Sequence, residues 1–211
     1  MIWYVIFILA DDLGFNDVGY RGGDQIPTPN LDALAYSGVI LDNYYVQPVC
    51  TPSRSAMLTG RYPIRNVVTT YIGILILTGM QGSAFIPDDP VGLPKDERTL
   101  AEHLQDLGYD TQMVGKWHLG YCKEEFSPTS RGFNGHFGYW NQAIEYWNHT
   151  AISPMPLNFL GRDMRNGMDR VEDSQGTYAT RLFTDKAVEI IANHGNDQPL
   201  FLYLAHMAPH G

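Results

Sequence analysis

Apolar runs of strand length alternate with segments of helical period through most of the chain, and this alternation constrains the fold more than any other feature. Residues 3–10 form a continuous apolar run, as expected for a strand covered on both faces. Thr28 is placed to cap a helix with Pro29 at its first position. Leu31, Leu34 and Ala35 supply that helix with an apolar face, and Gly38 stops it. The stretch VILDNYYV at 39–46 reads as a further strand or extended segment. After Cys50, Pro52 opens a helix through Ser53 to Thr59 that ends at Gly60. A helix at 99–107 stops before Gly108 and leads into a strand, YDTQMVGKWH, at 109–118. The longest helical pattern, 178–193, precedes a strand at 199–205, PLFLYLA. Between 120 and 176 the pattern lapses into Gly, Pro, Asn, Trp and Tyr, and ordered loops are expected there. The whole predicts an α/β fold with a largely parallel sheet flanked by helices.

The 211 residues suffice for one substantial core but not for two independent domains. A formal net charge of −9 argues against a nucleic-acid partner, which requires a basic stripe. It leaves room for an anionic substrate where a few cations are concentrated locally. Two cysteines allow at most one disulfide and do not fix the redox compartment. The apolar runs at 2–10 and 67–78 are too short to span a membrane, and no signal peptide is visible.

Three strand ends carry polar residues able to work together: Asp11-Asp12, Lys116-Trp117-His118 and Ala208-Pro209-His210. Ligands of open α/β sheets bind in the crevice at the carboxyl ends of the strands, so these ends are expected to converge. Asp11 and Asp12 offer paired hard oxygens suited to Ca²⁺ or Mg²⁺, although an Asp pair alone reads first as a turn. Lys116 and His118 alternate along an extended chain and so share a face; alone they read as a solvated pair. Cys50 sits between Pro48 and Pro52, just before a helix whose amides favour an anion, with Arg54 one turn on. A buried structural cysteine is the commoner fate of this residue, but that reading leaves Pro52, Ser53 and Arg54 unexplained.

CTPSR, from Cys50 to Arg54, fits the C-x-P-S-R signature of the sulfatase family, and SAMLTGR continues it. ADDLGFNDVGYRG, TPNLDALAYSGVILDNYYVQPVC, MVGKWHLGY, RGFNGHFGYW and PLFLYLAHMAPH extend the likeness, in order, over most of the chain. The chain thus resembles the sulfatase family, in particular its arylsulfatase B branch. The resemblance implies an alkaline phosphatase-like sulfatase fold and hydrolysis of sulfate monoesters, of a sulfated glycan or an aryl sulfate. It implies that Asp11 and Asp12 bind one Ca²⁺, and that Cys50, converted to formylglycine by the formylglycine-generating enzyme, touches the metal and attacks sulfur. Arg54 would hold the formylglycine. Lys116 and His210 would bind the sulfate and assist the leaving oxygen. His118 would contact the formylglycine hydroxyl and act as base when the sulfated intermediate collapses. A secretory, lysosomal or extracellular setting follows from the same resemblance.

Two departures qualify it. Family members continue beyond the position of His210 and supply an Asp-Asn pair to the metal and another lysine to the sulfate, so the chain reads as an incomplete N-terminal part. Residues 67–78 form an apolar insert between RYPIRN and GMQGS, read either as a surface loop or as a gene-model error. Asn148-His149-Thr150 is a glycosylation sequon, and Cys122 is expected as a packed or free thiol. Two other readings stand beside the sulfatase. One is a phosphatase or phosphonate hydrolase of the alkaline phosphatase superfamily. The other is a catalytically dead sulfatase-like fragment that only binds sulfated glycans.

Overall fold

The computed structural model describes residues 3–65, 84–87, 89–152 and 160–211. Its centre is a sheet of β1 (Val5–Asp11), β8 (Leu200–Pro209), β2 (Asp110–Lys116) and β3 (Gly135–Tyr139), adjacent in that order and all parallel. Two short strands, β6 (Arg165–Asn166) and β7 (Asp169–Arg170), add an antiparallel edge beside β3. A separate pair, β4 (Thr150–Ile152) and β5 (Leu160–Arg162), is antiparallel. Because β1, β8, β2 and β3 run the same way, Asp11, Pro209, Lys116 and Tyr139 all finish at one edge.

The alternation of β8 sorts its side chains onto two faces. Phe201, Tyr203 and Ala205 join one buried cluster with Met113, Trp117 and Phe133, together with Leu58 of α2 (Cys50–Thr59) and Ala101 of α3 (Leu100–Asp106). Leu200, Leu202 and Leu204 join the other with Val114, Tyr139 and the inner face of α4 (Ala179–Asn193), namely Ala179, Phe183 and Ala187. Helices therefore cover both faces of β8 and β2. α3 opens on a capping box, with Thr99 Oγ1 accepting from Glu102 N–H and the Glu102 carboxylate accepting from Thr99 N–H.

Gly115 has a positive φ of 103°, and a Cβ there would lie 1.9 Å from the Ala205 carbonyl oxygen of β8. Only glycine allows β2 to lie this close to β8 just before Lys116.

Several expectations are corrected. β1 is not covered on both faces: among the described residues it is the edge strand of the sheet, and its Ile6 and Ile8 are exposed, as is Trp3 just before it. α1 (Pro29–Ser37) forms, but Leu31 and Leu34 are exposed and it buries no residue. The Thr28 hydroxyl accepts from Gly19 N–H and donates to Asp32 instead of capping the helix. Residues 39–46 form no strand. α2 starts at Cys50, two residues before Pro52, because the first-turn N–H that proline lacks has no partner within the helix. Residues 120–176 hold β3 to β7 rather than loops alone. These strands are two to five residues long, too short for periodicity to reveal, and the longest, β3, carries two glycines. The expected insert, residues 67–78, lies outside the described residues.

Candidate active site

Asp11 ends β1 and lies buried between two cations. Arg54 Nη2 is 3.0 Å from its Oδ1 and Lys116 Nζ is 2.6 Å from its Oδ2. Arg54 rises from the second turn of α2, and its Nη1 also donates to the Lys116 carbonyl at 2.9 Å and contacts the Tyr203 hydroxyl at 3.4 Å. Arg54 and Lys116 are both fully buried, at 1% and 0% exposure, so the carboxylate is what makes their burial tolerable. Residues from β1, α2, β2 and β8 thus form one polar knot beneath the carboxyl edge of the sheet.

Cys50 stands half-buried at the first turn of α2. The adjacent Thr51 ties this turn to the segment after β2. Its hydroxyl donates to the His118 carbonyl at 3.3 Å and accepts from Phe85 N–H at 3.0 Å. His118 has a positive φ of 57°, so strand alternation ends at Lys116 and the backbone turns sharply. The imidazole is buried, and the Phe85 carbonyl 2.8 Å from Nε2 assigns the proton to that nitrogen. Nδ1 is buried without a partner among the described residues.

The edge is more open at Asp12 and His210. The Asp12 side chain is 57% exposed, at a φ of 62°, and His210 Nε2 lies 3.8 Å from its Oδ2, a near approach rather than a hydrogen bond. The His210 carbonyl accepts from the Tyr146 hydroxyl at 2.8 Å. All seven residues singled out in the sequence therefore stand at or just beneath the carboxyl edge, in two groups: a buried one around Asp11, with half-buried Cys50 beside it, and a more open one at Asp12 and the partly buried His210. Tyr203, Tyr139, Tyr146 and Phe85 were not foreseen. Tyr203 is the only one with a sequence signal, a polar tip inside an otherwise apolar strand. The Phe85 contact uses a backbone carbonyl, which no sequence pattern reports.

Electrostatics follow from this packing. Burial works to raise the Asp11 pKa, but Arg54 and Lys116 together hold it below the ordinary carboxylate value. Burial opposes the Arg54 charge, yet Tyr203 and Asp11 keep its pKa above the usual guanidinium value. Lys116 is lowered by burial and by Arg54, a trend that Asp11 and Cys50 partly offset. His118 is lowered from 6.5 to about 3, by burial first and then by Lys116. His136, on β3, is lowered from 6.5 to about 4, chiefly by burial. Each depressed histidine stays neutral in the folded chain while the unfolded chain takes up a proton. Stability is therefore expected to fall as pH drops from 6.5 towards 4. Each histidine contributes a slope of up to about 1.4 kcal/mol per pH unit. Urea denaturation across this range checks it, with His136→Gln expected to flatten the slope.

Asp11, Asp12 and residue 50 offer oxygen and sulfur donors at one edge. The carboxylates fit a hard cation such as Ca²⁺, whereas a thiol does not. Among the described residues, no three His, Cys, Asp or Glu side chains gather as a metal site. The carboxylates are of the right chemistry for such a cation, although here both Asp11 oxygens are paired with Arg54 and Lys116. Cys122 is not disulfide-linked, and its Sγ lies 3.7 Å from the Val91 carbonyl. Among the described residues no helix is long and apolar enough to cross a membrane.

Comparison with known proteins gives this arrangement its context. Arylsulfatase J of Mus musculus is 44% identical over 208 residues, which cover 98% of this chain and 32% of that protein. N-acetylgalactosamine-6-sulfatase of Homo sapiens is 33% identical over 212 residues, 98% of this chain and 39% of that one. The crystal structure of Ps i-CgsB aligns with a TM-score of 0.82 at 32% identity, over all of this chain and 46% of that one. BT4656, solved with its substrate D-glucosamine-2-N,6-O-disulfate, aligns with a TM-score of 0.72 at 25% identity, over all of this chain and 35% of that one. The chain thus spans 32% to 39% of the length of these two curated relatives. Its mixed sheet flanked by helices is the alkaline phosphatase-like fold of sulfatases. The sulfatase family matches from residue 4 to residue 211, and the chain belongs to it.

Proposed function

We propose that this chain is the N-terminal part of the catalytic domain of an arylsulfatase-type sulfuric ester hydrolase that uses a formylglycine made from Cys50 and one Ca²⁺. The observation that carries this is Cys50 at the first turn of α2, beside a buried knot of Asp11, Arg54 and Lys116. Formylglycine would supply a hydrated aldehyde, one hydroxyl to attack sulfur and a second whose deprotonation releases sulfate. Ca²⁺, held by Asp11, Asp12 and residue 50, would supply positive charge where the ester gathers negative charge.

The chain's own residues do the rest. Arg54, one turn after residue 50 on α2 and locked by Asp11, the Lys116 carbonyl and Tyr203, would serve to hold residue 50 once it is modified. Lys116, whose pKa burial lowers, binds the sulfate oxygens and eases protonation of the leaving oxygen together with His210. His118, holding its proton on Nε2, has an unpartnered Nδ1 that would be the acceptor for the residue-50 hydroxyl proton. Maturation requires the formylglycine-generating enzyme, which places the protein in the secretory pathway on its way to a lysosome or the exterior. Asn148 is exposed, as a glycosylated sequon requires.

Incubating the chain, extended by the remainder its relatives carry, with an aryl sulfate and an aryl phosphate tests the reaction class; the 211 residues alone are expected to turn over little. The reading expects sulfate release to exceed phosphate release; the reverse preference would favour a phosphatase, and binding without turnover a dead fragment.

Ca²⁺ affinity tests the metal shell. Two carboxylates cannot fill the six to eight oxygen positions that Ca²⁺ takes, so the 211-residue chain alone is expected to bind it with a Kd weaker than about 10⁻⁴ M. Calorimetry showing much tighter binding would mean that other residues complete the site.

A further inference from the structure

Asp163 takes no part in the chemistry described so far, yet it is buried at 5% exposure between β5 and β6. Its Oδ2 accepts two backbone N–H groups, from Trp140 at 2.9 Å and from Asn141 at 2.7 Å. Its Oδ1 accepts from Arg165 Nε at 3.1 Å, and the Arg165 guanidinium in turn lies 3.9 Å over the Trp140 ring. One carboxylate therefore fixes the two residues that follow β3 through their backbone. The Trp140 carbonyl then accepts the His118 N–H at 3.2 Å, and the Tyr139 carbonyl accepts that of Trp117 at 3.0 Å. His118 is the residue held at positive φ. A non-glycine residue remains in that conformation only where its surroundings over-determine it.

We propose that Asp163 is a positioning residue for His118, acting through the Trp140–Asn141 backbone that anchors the His118 amide. The role in turnover rests on the sulfate-ester reading; the positioning itself does not. Burying a carboxylate is costly, and burial raises the Asp163 pKa even against Arg165 and the two N–H groups. An apolar or amide residue would fill the same space without that cost. What the carboxylate adds is one acceptor strong enough to hold two adjacent N–H groups at once.

Amide hydrogen exchange on the 211-residue chain tests this without any need for turnover. Asp163→Ala is expected to speed exchange of the His118, Trp140 and Asn141 amides by about tenfold or more, while the β8 amides of Leu202 and Leu204 change far less. Asp163→Asn, which keeps an acceptor oxygen but not the charge, is expected to give a smaller increase at the same three amides. Arg165→Met, which leaves the Oδ2 contacts in place, is expected to stay within about twofold of the unsubstituted chain at His118. If Asp163→Ala does not fold, the Asp163→Asn and Arg165→Met pair decides. Equal exchange at His118 in those two variants, or changes that merely track the β8 amides, overturns the proposal. Where sulfate-ester turnover is present, Asp163→Asn is expected to lower kcat more than it alters KM. Exchange that shifts as expected, with no turnover by the unsubstituted chain extended by the remainder its relatives carry, would overturn the sulfatase reading and leave the positioning intact.

Discussion

Replacing Arg54 with alanine is expected to destabilise the chain by about 3–5 kcal/mol, the usual cost of removing one partner from a buried ion pair. The reason lies in the asymmetry of the knot. Asp11 is buried at 4% exposure with one oxygen on each cation, and Lys116 is fully buried. Without Arg54, Asp11 Oδ1 loses its guanidinium partner, the Lys116 carbonyl loses a donor, and a large side chain vanishes from beside Tyr203. Arg54→Lys restores charge but not the planar fork that reaches three groups, so it is expected to recover less than half of the loss. Urea denaturation of the two variants measures this. A change of less than about 1 kcal/mol for Arg54→Ala would mean that the knot is solvated rather than buried.

The second large effect concerns turnover. Cys50→Ala, in the chain extended by the remainder that its relatives carry and produced with the modifying enzyme, is expected to reduce aryl sulfate hydrolysis by about a thousandfold or more. Cys50 is only half-buried and leads α2 rather than packing in either core cluster. The thermal midpoint is therefore expected to stay nearly unchanged. Cys50→Ser keeps a hydroxyl in place but cannot form the geminal diol, so it is expected to transfer sulfate at most once per molecule. Steady turnover by either variant, measured by sulfate release, would place the nucleophile elsewhere.

The chain's own pattern shows why some of this was legible in the sequence and some was not. β8 is recognisable because its apolar run must be buried on both faces, and it is; β2 is far less apolar and reads as a strand from its place after a helix stopped by glycine. β1 has the same kind of run but lies at the sheet edge, and pairing order is not written into a single strand. β3 escaped notice because Gly135 and Gly138 dilute its apolar character; Gly138 sits against the Gly115 backbone, where a side chain would not fit. The polar strand ends could be read because ionisable residues after apolar runs are conspicuous. Their division into a buried knot and a more open pair could not, since it depends on Arg54 arriving from another element. Asp163 and the Phe85 carbonyl act through backbone groups, which look alike at every position of a sequence.

The most direct test of the account is the chemical state of residue 50. The 211-residue chain, produced in cells with an active formylglycine-generating enzyme, is digested, and the peptide containing Cys50 is captured on a hydrazide resin and weighed by mass spectrometry. The account predicts capture of that peptide, at the lower mass expected when an aldehyde oxygen replaces the thiol, and no capture from Cys50→Ala. An intact thiol in every molecule, with a control substrate fully converted in the same cells, would contradict it.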